Sequence, residues 1–444
     1  MKEKSLNWSR RRVLESLFSC GGLGFRALAT GLPLEFLLGE RQADAASPTD
    51  AQFLILATSA AGDPFNANCP GSYVPRADNN PHPELAPTPV RLGQSTYNAA
   101  KCWASLPEAL RARLSFFHHR TNTNAHPEHS KVMALHGSAK LPSGNGQEML
   151  PSVFASELSP TLGTIQTEPL PLGKELITYE GRALNNIAPL SLKGLFEQPD
   201  NPLSNLADLR DQSLDALNSE LKAHGTRAQR QFLDRFALGR EQARKLGVDL
   251  AGLLQRLPVD SEEKNSAADQ VIAAVALIQL KVAPVVTIHL PFGGDNHGDS
   301  DLSLERDQTL ASVAALGNLW QELNAQGLQD RVTFASLNVF GRTLERNASG
   351  GRNHNQNHHV MALFGKRIQP GVIGGVEATS NGFSALPIDS KTGQATPSGD
   401  ITASASLAAA ARTLGHALGM SPDRLDFRLG TGALVRASAG AAAR

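Results

Sequence analysis

The chain has 444 residues, 41% of them hydrophobic and 19% charged, which is enough for a large core and excludes a disordered or low-complexity protein. Its 42 basic and 42 acidic residues cancel. No overall field therefore draws it to nucleic acid or to an anionic membrane surface, and a nucleic-acid role would need a local basic stripe.

The obvious stripe, Arg10-Arg11-Arg12, has another explanation. Ser9-Arg10-Arg11-Arg12-Val13-Leu14 resembles the twin-arginine signal S-R-R-x-[F/V]-L. A weakly apolar stretch from Leu17 to Leu38 follows, broken by glycines, Arg26 and Glu35, and Ala43-Asp44-Ala45 offers a cleavage site before Ala46. The competing reading is a basic arm ahead of an ordinary core helix. We expect a signal peptide at 1–46, a periplasmic or secreted location, and no stable membrane span once it is removed, the stretch being too interrupted to cross a bilayer. Cys69 and Cys102 remain. Their spacing fits neither a redox nor a zinc motif and leaves a disulfide and two free thiols open.

Four short apolar runs then end in polar loops. Residues 53–56 lead to Asp63-Pro64-Phe65-Asn66, and residues 114–117 lead to a loop running from His118 through Asn124 and His126 to His129. Residues 130–200 read as mixed short elements. Across 203–257, leucines at helical spacing among charged residues predict a helical insertion. The helix expected from Ala267 to Leu280 precedes a continuous apolar run at 285–290, of the kind found in strands buried on both faces of a parallel sheet. Asp295-Asn296-His297 follows it. A helix over 307–326 returns the chain to a strand at 332–339, followed by Phe340-Gly341-Arg342-Thr343 and Gly351-Arg352-Asn353-His354. An alanine-rich helix at 402–418, closed by Gly419, comes near the end.

Ligands of open α/β sheets bind beyond the carboxyl ends of the strands, so these four loops predict one shared polar or metal site. Ten of the 13 histidines fall at 118–136, 289–297 and 354–359. Imidazole, carboxylate and carboxamide groups suit zinc, with manganese or calcium as alternatives. The plainer reading is that these are hydrogen-bonded turn formers, and Asp299 and Asp301 are read as caps of the following helix. His126-Pro127-Glu128-His129 is not a metalloprotease motif, because its proline and its i, i+3 histidines do not match H-E-x-x-H, where i, i+4 spacing puts both imidazoles on one helical face.

The motifs around Asp63, Asp295-Asn296-His297, Phe340–Thr343 and Gly351–His354 resemble, in the same order, the G-G-x-D-G-L-N, G-G-W-D-x-H and F-G-R-T…G-R-D-H patterns of the DUF1501 family. The twin-arginine start fits that family too. The resemblance implies an α/β, alkaline-phosphatase-like three-layer αβα sandwich of the sulfatase-like superfamily, with a mostly parallel sheet, spanning 47–444 with the helical insertion at about 203–257. It implies a metal-dependent hydrolase of a small anionic ester or cell-envelope substrate bearing phosphate or sulfate. Asp63 with Asn353 and His354 would hold one ion, Asp295 with His297 a second, and Arg342 or Arg352 would steady the anion. Three departures stand out. Asn353 replaces the family aspartate, Ala125 the serine of its S-H-F segment, and Gly294 a tryptophan. Thr121, Thr123 or Ser130 would then have to serve as nucleophile. The departures equally suit a non-catalytic binding protein that kept the fold, and both readings stand at this point.

Overall fold

The computed structural model describes residues 51–196, 204–226, 230, 233–234, 249–250, 252–257, 265–291 and 294–436. The signal expected at 1–46, Gly293, much of the expected insertion and the tail from 437 lie outside these residues.

The core is a seven-stranded sheet. In chain order its strands are β1 (Phe53–Ala57), β2 (Leu114–His119), β3 (Leu170–Pro171), β4 (Val285–Ile288), β5 (Val332–Ser336), β6 (His359–Phe364) and β7 (Gly371–Ile373). Across the sheet they lie in the order β7-β2-β6-β5-β1-β4-β3. Every residue of β1, β2, β4, β5 and β6 is buried, so both faces are covered. This is why these segments read as unbroken apolar runs instead of alternating ones.

Strand direction decides where the loops go. β1 is parallel to β4 and β5, β4 to β3, and β2 to β7. β6 is antiparallel to both neighbours, β2 and β5. The four expected strands β1, β2, β4 and β5 therefore run the same way and open their loops on one edge. The reversed β6 brings its first residue, His359, to that same edge, paired in register with His119 at the end of β2.

Helices α1 (Leu150–Leu162) and α3 (Ala267–Gln279) pack on β4, and α5 (Ser406–Ala417) packs on β2. Between them in sequence, α2 (Ser204–His224) begins the expected helical segment, and α4 (Ser303–Ala325) packs along α3. Asp299 accepts from the N–H groups of Leu304 and Glu305, and Asp301 from Ser303, so both acids cap α4 as their spacing suggested. The cysteines resolve as two free thiols, Cys69 buried and Cys102 partly so. No helix among the described residues is long and apolar enough to cross a membrane.

Candidate functional site

Four polar loops meet at the carboxyl edge. The loop after β4 carries Asp295 and His297. A two-stranded ribbon, Gly341–Arg342 paired with His354–Asn355, follows β5 and carries Arg342, Asn353 and His354. The loop after β2 carries Asn124 and His126. The loop after β1 supplies the carbonyls of Ala60 and Ala61. Gly351 makes the first two dock closely: a Cβ there would lie 2.1 Å from the Asn296 carbonyl oxygen and 2.4 Å from that of His297.

His297 and His354 form the centre, their Nε2 atoms 2.9 Å apart. Their outer nitrogens fix the tautomers. His354 Nδ1 lies 2.5 Å from the Asn124 carbonyl, which can only accept, so Nδ1 carries the proton. His297 Nδ1 lies 3.3 Å from Asn353 Oδ1, an oxygen that also receives Asn347 Nδ2–H at 3.2 Å and is thereby fixed as an acceptor. His297 Nδ1 then donates too. His354 Nε2 is left with a lone pair turned toward His297 Nε2, which in this tautomer accepts from Arg342 Nη1–H at 3.3 Å. Burial pushes the His354 imidazole down to about 4, so it is neutral at pH 7.

Asp295, 63% exposed, places Oδ1 3.5 Å from His297 Nε2. Arg342 lies beneath, its side chain buried. Its Nη1 is 3.3 Å from His297 Nε2 and 3.6 Å from Asp295 Oδ1, while Nη2 donates to the carbonyls of Ala61 and Gly294 at 2.8 Å each. Its Nε has no partner. Desolvation lowers the guanidinium to about 10, which still leaves it charged at neutral pH. Phe340 stacks on His354 with ring centroids 4.1 Å apart and closes one side.

The other expected site residues lie elsewhere or do other work. Asp63 is fully buried, caps the turn after β1 by accepting from Phe65 N–H at 2.8 Å, and faces His359 at 3.5 Å instead of the His297–His354 pair. Desolvation raises its carboxyl well above the ordinary value. Asn353 orients His297 through its oxygen. Arg352 is fully buried and all five of its N–H groups are taken, by both oxygens of Glu305 and by the carbonyls of Asp78, Thr343 and Leu344. It holds loops together and has no donor left for an anion, so the cation that reaches the site is Arg342. Thr121 is buried and donates to the Thr123 carbonyl, and Thr123 donates to Glu128. Both hydroxyls thus serve their own loop.

Beneath the centre lie two ordered imidazole pairs. Asn66 Nδ2 donates to His358, whose Nε2 meets His118 Nδ1 at 3.0 Å, and His118 Nε2 ends on the Pro70 carbonyl. His359 Nδ1 meets His119 Nε2 at 3.0 Å, and His119 ends on the Arg120 carbonyl. All four are fully buried and desolvation lowers each, His118 and His119 to about 4.

Among the described residues, no three His, Cys, Asp or Glu side chains are arranged to hold a metal ion as they stand. The donor types present, two imidazoles and a carboxylate, are those that zinc sites use. Two imidazole nitrogens have lone pairs turned inward by carbonyl-type partners, the usual support of metal-bound histidine, and an exposed carboxylate stands beside them. Asp63, required for a second ion, points into the protein.

No curated protein matches the chain. Residues 203–385 match a family described as "Protein of unknown function (DUF1501)". That match takes in Asp295, His297, Arg342, Asn353 and His354 and leaves Asp63 and the 118–129 loop outside it, so it supports the DUF1501 family over the part of the chain that builds most of the site.

Proposed function

We propose that this is an exported, metal-dependent hydrolase-like protein of alkaline-phosphatase-like architecture that acts on a small anionic ester of phosphate or sulfate. The close approach of His297 Nε2 and His354 Nε2, 2.9 Å apart with the Asp295 carboxylate 3.5 Å from the first, carries the reading. A divalent ion held by His297, His354 and Asp295, zinc by its ligand types, would polarise an ester oxygen and make bound water acidic. The protein's own groups set up the rest. The Asn124 carbonyl and Asn353 hold the two rings in place, and Arg342 supplies positive potential from below that favours an anionic substrate group. The test is hydrolysis of phosphate and sulfate monoesters by metal-loaded wild type and by Asp295→Ala/His297→Ala. Loss of both metal and turnover in the variant is expected, and full activity in it would overturn the proposal.

A second reading has its own observation. Thr121 and Thr123 both spend their hydroxyls inside their loop, and Ala125 stands where the family resemblance places a serine. A binding protein that kept one ion and lost turnover follows from this. It predicts that Asn353→Asp tightens metal binding without efficient hydrolysis, and a large gain in turnover would count against it.

A further inference from the structure

We infer that Asp63 holds no ion and stands in the fold as a neutral carboxylic acid, its proton on Oδ2 and directed at His359 Nε2. The family resemblance gives this residue an ion to bind. Its surroundings give it a base to face instead, whether or not His297 and His354 take up metal.

Hydrogen bonds starting from the far end of the network fix each proton. His119 Nδ1 lies 3.0 Å from the Arg120 carbonyl, which can only accept, so that nitrogen carries the proton. The neutral ring then has its lone pair on Nε2, 3.0 Å from His359 Nδ1, which must donate. This leaves the His359 lone pair on Nε2, where the backbone N–H of Asn338 points at 3.3 Å. A second proton on that nitrogen would collide with this N–H, so His359 is not an imidazolium. Asp63 Oδ2 lies 3.5 Å from the same nitrogen, buried and without a hydrogen-bond partner. A carboxylate would set a bare negative charge against a lone pair, whereas the acid sets an O–H there.

The other groups around Asp63 leave this intact. Oδ1 already accepts from Phe65 N–H. Arg342 is charged, but its Nη2 is spent on the carbonyls of Ala61 and Gly294 and its ion pair is with Asp295. Cys69, on the same loop, keeps its proton because burial pushes the thiol up. Desolvation of the Asp63 carboxyl outweighs the Asn338 side chain, the Phe65 N–H and the Arg342 charge, which favour ionisation. Asp63 also bridges to Gly341, the neighbour of Arg342. The acid thus joins the loop after β1, the ribbon and β6 beneath the site. Metal ligands must be deprotonated, and a carboxyl that keeps its proton does not serve an ion.

The experiment compares the full chain with Asp63→Asn, which has the same shape and can point an amide N–H at His359. Both are unfolded by denaturant at pH 5, 6 and 7. The unfolded aspartate loses its proton above 3.8 while the folded one retains it, so this residue contributes less stability as pH rises through that range. The histidines titrate alike in both proteins and cancel in the ratio. The folding constant of Asp63→Asn relative to wild type should therefore climb with pH, approaching about tenfold per unit. A ratio that stays level or falls would show an ionised Asp63 and overturn the inference. Infrared spectra of wild type carrying carbon-13 in its aspartate carboxyls need no variant to fold. A protonated carboxyl band at pH 7 is expected, and its absence would equally overturn the assignment.

Discussion

Replacing Arg352 by methionine tests whether this arginine holds the site together or faces its ligand. Arg352 and Glu305 are both fully buried and meet at 2.5 Å. In the variant the Glu305 carboxylate keeps only the amide donors of Asn68, Asn80 and Asn296, at 2.9, 3.1 and 3.4 Å, and loses its countercharge. Removing one partner of a buried pair costs about 3–5 kcal/mol. At about 2.1 cal/mol/K per residue the unfolding entropy of a domain of roughly 390 residues is near 0.8 kcal/mol/K, so the melting temperature should fall by about 4–6 °C. Lysine should rescue little, because it cannot reproduce five bonds in a fixed fork. Glu305→Met/Arg352→Met should recover part of the loss, since the pair rather than either charge alone is accommodated there. Scanning calorimetry on the three variants measures this. An unchanged melting temperature in Arg352→Met, together with weakened binding of phosphate or sulfate, would refute the structural role and return Arg352 to the ligand.

Other outcomes follow from the same geometry. Gly351→Ala places a methyl against two backbone carbonyls that cannot move aside alone. It should cost about 1–3 kcal/mol as overpacking does and weaken metal uptake by separating the His297 and His354 loops, whereas wild-type uptake would show that the loops tolerate separation. Gly294→Ala meets only the end of the Gln308 side chain, at 2.0 Å, and should shift stability by less than about 1 kcal/mol, as thermal melting will show. Acid should unfold the protein early. The imidazoles of His118 and His119 titrate at 6.5 when free and at about 4 in the fold, and burial pushes His358 and His359 well down too. The unfolded chain therefore binds more protons between these values. The stability contributed by neutral burial is full above pH 6.5 and is lost as pH falls toward 4. Asp63, whose carboxyl is raised, acts in the opposite sense with a single proton. A denaturation midpoint that stays level from pH 7 to pH 5 would contradict this.

The sequence made the sheet legible because β1, β2, β4 and β5 are buried on both faces, which writes an unbroken apolar run into each. Strands covered on both faces are usually parallel, and these four are, which brings their loops to one edge. Depth was not legible. Asp63 and Asp295 both follow a strand in a glycine-bearing loop, yet Asp63 turns back to cap its own chain and Asp295 stays at the surface. Arg342 and Arg352 sit in similar glycine-arginine pairs, and only the distant partners Glu305 and Asp78 single out Arg352 as the structural one. The reversal of β6 sets its histidine pair beneath the site, and no local pattern announces a strand's direction.

If the facing imidazoles of His297 and His354 hold a divalent ion, the purified protein should carry it. The most direct measurement is elemental analysis of the protein purified without chelator, beside His297→Ala/His354→Ala prepared identically. One equivalent of zinc, or of manganese or calcium in its place, in wild type and none in the double variant is the predicted result. Equal metal content in both, or none in wild type even after titration, would contradict it.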